Sequence, residues 1–356
     1  MSPVLKRTGV LLGSLALAVY AAACDTGTGP AGNFDPQTTA VTVDQVVQAF
    51  QANDAAFTSM SLATPSLGAS MAAQMLPKEP GQILPKAADV PAIVKDLTVE
   101  AIFPSNYLGK TFVYDTAQGM YVASDTATGA PTNGVRVIYY AIDPVSRTPA
   151  QPLNALGYID LTDESTASSV RLGIKIVQTG DTDVTLADYY VDVAYTQTQT
   201  ETSAQLSSVG YVSNGTDELD FDLSETATLS SSAMTMTMDY QLSLANEGVS
   251  VRFQGSGSVD QQSGAMGAME ATFTLDNGTD QVVLNATIAA DNTVDGTLKF
   301  NGSTVMNIGG TSDSPTFTKA DGSALTQSDV TALQNIWNSI GDLFTFVGNL
   351  FGPAGG

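Results

Sequence analysis

Met234, Met236, Met238, Tyr240, Leu242 and Leu244 are apolar at every second position, and Thr235, Thr237, Asp239, Gln241 and Ser243 stand between them. A period of two marks a strand with one oily and one wet face. The pattern recurs along most of the chain. While Val135, Val137 and Tyr139 alternate with Arg136, Ile138 and Tyr140, apolar on both sides as in a central strand, Val170, Leu172, Ile174 and Ile176, then Tyr189, Val191, Val193 and Tyr195 follow it. So do Val249 to Phe253, Met269 to Leu275, Val282 to Ile288, Val294 to Phe300 and Val305 to Ile308. The links between these runs are short and carry turn residues: Asn246-Glu247-Gly248, Asp276-Asn277-Gly278-Thr279-Asp280, Asp291-Asn292 and Asn301-Gly302. With no helix between successive strands, neighbours must be antiparallel. The fold expected over 92–310 is mainly β, a large antiparallel meander of about a dozen strands curled into an open or closed barrel.

Helical spacing returns at both ends. Thr42 and Gln45 form a capping box ahead of Val43, Val46, Val47, Phe50 and Phe57, which predicts an N-terminal helix within 41–91, followed by a proline-rich linker. After a linker from 311, a second helix is predicted where Val330, Leu333, Trp337, Ile340, Phe344, Val347 and Phe351 trace one stripe. Both amphipathic helices are expected on the concave apolar face of the sheet. They either fill that concavity as core or leave room for an apolar ligand lined by Met234, Met236, Met238, Tyr240, Trp337 and Phe344. Unbranched thioethers suit either role. A transmembrane barrel is the competing architecture; a chain ending in a helix and the lack of aromatic girdles speak against it.

Chemistry is constrained mainly by what the chain lacks. It contains no histidine, which removes histidine-dependent triads and imidazole metal sites. No G-x-S-x-G elbow, S-x-x-K or phosphate-binding glycine motif is present. The expectation is therefore a protein that is not an enzyme and holds no cofactor, with a carboxylate-dependent hydrolase as the remaining catalytic alternative. Asp181, Asp183, Asp217 and Asp220 offer hard oxygen donors suited to calcium, but they match no EF-hand loop, and a solvated strand face accounts for them better. A net charge of −23 argues against nucleic acid as a partner.

The N-terminus supplies an address. Lys6 and Arg7 precede the apolar stretch Val10 to Tyr20, which is too short to span a bilayer, and Ala21-Ala22-Ala23 leads to Cys24, the single cysteine. This arrangement resembles the lipobox of bacterial lipoproteins, although Ala21 stands where leucine is usual. The resemblance implies cleavage of 1–23 and lipid on the Cys24 thiol. An ordinary secretory leader with an incidental cysteine is the alternative. Residues 24–40, rich in Thr, Gly, Pro, Asn and Asp, read as the lipidated cysteine and a flexible tether. The body resembles envelope lipoprotein carriers and receptors in pattern only. Together these features suggest an extracytoplasmic protein held to the bacterial cell membrane or outer membrane through Cys24, binding an amphiphile between sheet and helices. A surface scaffold with a solid core, contacting an envelope protein, is the alternative.

Overall fold

A computed structural model describes residues 101–323, except 214, 217, 245, 247, 277, 280 and 313, together with Ser59, Leu62 and Ala63. Among the described residues the chain forms one sheet of 15 strands. In chain order they are β1 (Lys110–Asp115), β2 (Met120–Ser124), β3 (Gly134–Tyr140), β4 (Ala155–Asp163) and β5 (Ser169–Gln178). β6 (Val184–Gln197), β7 (Glu201–Ser213), β8 (Glu218–Ser230), β9 (Ala233–Leu244) and β10 (Val249–Asp260) continue it. β11 (Met266–Asp276), β12 (Gln281–Ile288), β13 (Val294–Phe300), β14 (Ser303–Thr311) and β15 (Ser314–Lys319) complete it.

From β4 to β15 every strand lies beside its predecessor, so the expected meander is present. The start of the chain departs from it. β1 pairs with β3 in parallel, Phe112 opposite Val137, while β2 forms a hairpin on the far side of β1. The sheet order ends at β2 and β15, which do not pair with each other: the sheet is not closed. The chain divides into two compact units. One holds β1 to β6 and residues 204–221; the other holds residues 222–323 with 197–203 among those described. A correction concerns the linker expected from 311, because β15 occupies 314–319 and pairs with β14. Its Pro315 reads as a loop signal, yet an outermost strand tolerates a residue that cannot donate to a ladder on both sides.

The helices expected within 41–91 and 311–356 lie outside the described residues apart from Ser59, Leu62 and Ala63, which have helical backbone. Ser59 and Ala63 are buried, and the Tyr140 N–H donates to Ser59 Oγ at 3.4 Å.

Within the first unit the strands fill one face with branched side chains. Val137, Ile159, Ile176 and Ala187 form a row across β3 to β6, and Val135, Leu161, Ile174 and Tyr189 form the next. All are buried. Each fully buried aliphatic side chain contributes about 1.5–3 kcal/mol. Gly157 belongs to the same face because the Tyr139 ring lies over it; a Cβ there would meet that ring at 2.7 Å. On the opposite face Arg136, Asp160, Lys175 and Asp188 form a row of alternating sign. Arg136 grips Asp160 with two bonds of 2.7 and 2.8 Å and lies over the Tyr158 ring, and Lys175 reaches Asp188 at 3.3 Å.

In the second unit the turn chemistry sets the strand alignment. Asn301 and Gly302 both adopt positive φ, 47° and 79°, which lets two residues join β13 to β14 with the hand that twisted strands require. Gly278 at φ 80° donates its N–H to Asp276 Oδ1 at 2.7 Å in the link between β11 and β12.

Candidate ligand site

The turn-set alignment of β9 to β14 stacks residues of similar size into rows across the apolar face. Leu242, Val251, Leu275 and Val282 form one row. Tyr240, Phe253, Phe273, Leu284 and Leu298 form the next, with the Tyr240 and Phe253 ring centroids 6.2 Å apart. The third row collapses in size: Met238, Gly255, Ala271, Ala286 and Gly296. Beyond it side chains are large again in Met236, Met269, Ile288 and Val294, interrupted at Gly257.

A row of small residues between two rows of large ones is a trough. It runs across the strands, and from Gly255 to Gly296 it crosses three strand spacings of about 4.8 Å, about 14 Å in all. Its far end is closed by Ile308, opposite Gly296, in the cluster of Ile288, Val294, Met306 and Ile308. Gly296 cannot be replaced without disturbance, because a Cβ there would stand 2.5 Å from the Asn285 carbonyl oxygen. Gly255 is different. Its Cβ would meet the Met238 methyl at 3.0 Å, the tip of a flexible side chain. The Phe253 ring lies over the same spot at 3.4 Å, so two side chains cover the floor at Gly255.

The predicted lining residues divide accordingly. Tyr240 is buried in the aromatic row, whereas Met234, Met236 and Met238 are only half-buried. That contrast follows from their neighbours, since these methionines face Val259, Gly257 and Gly255, which offer little side chain to pack on. Trp337 and Phe344, like Cys24 and Asp217, lie outside the described residues.

Glu225 escaped the sequence analysis. On β8 it takes an inward position in the series Leu219, Phe221, Leu223, Glu225 and Ala227, all buried. The residue is 4% exposed, and neither carboxylate oxygen has a hydrogen-bond partner among the described residues. Burial pushes its carboxyl well above the usual range, which favours the protonated form. The Ser231–Ser232 link joins β8 to β9, with Ser230 Oγ bonded to the Ala233 carbonyl and amide. Glu225 and Met238 are equally distant from that link, so regular pairing of these neighbouring strands would set them opposite each other. An acid in an inward register was the sequence signal available.

The acidic candidates do not assemble. Asp181 and Asp183 are exposed in the link between β5 and β6, while Asp220 lies on β8 beside Glu218. Among the described residues, no three His, Cys, Asp or Glu groups come together in a way that could hold a metal ion. Chemically, β9 to β13 offer an apolar face with one line of small residues, and β8 carries one buried carboxyl without a partner among the described residues. No protein-family model matches the chain, and neither a curated protein nor a solved structure matches it.

Proposed function

We propose that the chain is a lipid-anchored, extracytoplasmic binding protein of the bacterial envelope that holds the alkyl part of an amphiphile in this trough, without catalysis. The observation that carries the binding reading is the small-residue row Gly255, Ala271, Ala286 and Gly296 between two bulky rows. A packed face would alternate large and small residues so that side chains interdigitate, whereas aligned small residues keep a channel of constant direction. The half-buried methionines beside it adapt to flexible chains. Membrane attachment rests on the lipobox-like segment ending at Cys24.

The test uses the full chain with Cys24→Ser, which should pass from the membrane to the soluble fraction and lose labelling by palmitate. Retention of that variant in the membrane would overturn the anchoring. On the soluble protein, the neutral fluorescent probe N-phenylnaphthylamine should bind and be displaced by dodecyl compounds. Ala271→Leu, which fills the middle of the floor, should weaken the probe at least tenfold with unchanged circular dichroism. A protein that takes up no probe, or an Ala271→Leu variant that binds it as well as the parent, would sink the ligand reading and leave the solid-core scaffold.

A further inference from the structure

We propose that Glu225 is the head-group anchor of the trough and that it selects amphiphiles carrying an amine. The inference rests on the trough holding an alkyl chain. Two observations and one geometric expectation lead to it: Glu225 is buried in an inward register, both of its oxygens lack a partner among the described residues, and regular pairing across the two-residue link from β8 to β9 would set it opposite Met238, which faces Gly255. Buried polar groups in folded proteins are nearly always hydrogen-bonded, so an orphaned carboxyl at the end of an apolar channel is a group awaiting a partner. An alkylammonium has up to three N–H donors, enough to satisfy both oxygens.

Charge points the same way. The rows flanking the trough contain no cation until Lys319, opposite Met306 on β15 at the other end of the sheet. A carboxylate head group at the Glu225 end would therefore meet a second acid and, among the described residues of these rows, no base. As an alkylammonium enters, the buried acid can release its proton to solvent, leaving an ammonium–carboxylate pair with no net charge at the site. The chain's net charge of −23 also draws cationic amphiphiles toward the protein before they bind.

Displacement of N-phenylnaphthylamine by dodecylamine and by dodecanoate measures this, using the full chain with Cys24→Ser in about 0.15 M salt to suppress long-range attraction. Dodecylamine should bind the parent at least tenfold more tightly than dodecanoate. Glu225→Leu should erase that preference while probe binding persists, and the near-isosteric Glu225→Gln, which keeps the shape, should lose most of it. An amine preference of equal size in all three proteins would overturn the anchor and leave the trough standing. Failure of the parent to bind any alkyl compound would overturn both.

Discussion

β3 to β6 and β9 to β13 have the same strand geometry and the same one-sided alternation, yet they fill their apolar faces in opposite ways. The first set lines up Val137, Ile159 and Ile176, branched side chains that are completely buried. The second lines up Gly255, Ala271, Ala286 and Gly296 beside methionines that are only half-buried. Their polar faces differ as well. β3 to β6 carry the Arg136–Asp160 pair with both side chains less than one-fifth exposed, whereas the Arg252–Asp239 pair of β9 and β10 is 48% and 38% exposed. Alternation alone, then, makes a sheet. Whether that sheet becomes a solid core or a surface with room for something else depends on which sizes the turns bring into one row.

The largest expected effect separates the two faces by truncation. Ile176→Ala should destabilise by about 2–5 kcal/mol, measured by urea denaturation, because the cavity it leaves has no means of relaxing. Met236→Ala should cost less than about 1 kcal/mol, as its side chain is partly in solvent already. Equal costs would mean that the trough is ordinary core. Next comes Gly296→Ala, which forces a Cβ toward the Asn285 carbonyl and should cost about 1–3 kcal/mol.

Glu225 gives the second unit a pH signature. Its folded form prefers the proton, so unfolding becomes easier as pH rises above the ordinary glutamate value of 4.5 toward its raised folded value. The slope is at most about 1.4 kcal/mol per pH unit. The parent should therefore gain stability relative to Glu225→Gln as pH falls from neutrality into mild acid. Below the ordinary aspartate value of 3.8 the trend reverses. There Asp239, held low chiefly by Arg252, and Asp260, held low chiefly by Ser263, lose their partners on protonation. A Glu225→Gln variant with the parent's pH profile would show that the carboxyl is solvated.

The smallest expected effect lies on the polar faces. Asp160→Asn should cost about 1–2 kcal/mol by weakening a partly shielded, two-bond grip on Arg136. Asp239→Asn should cost less than about 1 kcal/mol. A double-mutant cycle on each pair checks the ordering.

Much of this architecture is legible in the sequence. The strands with clean alternation and the turns at Asp276 to Asp280 and Asn301-Gly302 lie where the pattern puts them. β1, β2, β4, β7, β8 and β15 lie outside the strands predicted from periodicity. β4 spends an inward position on Gly157, and β7 mixes serines into both faces through Ser203, Ser207 and Ser208. The parallel pairing of β1 with β3 has no local signal, because it joins residues separated by a complete hairpin. The trough was half-legible. Its methionines stand out in one strand, but the row of small residues exists only once four strands are aligned.

Sliding β5 along β4 by two residues would keep every apolar side chain on the apolar face, so hydrophobic burial cannot by itself choose between those arrangements. The row Arg136, Asp160, Lys175 and Asp188 can. After such a slip Asp160 would face Gly173 or Val177 instead of Lys175, and the succession of signs would break. Four charged residues thus act as a check digit for a repetitive text, rejecting misaligned pairings that the oil in the sheet would accept.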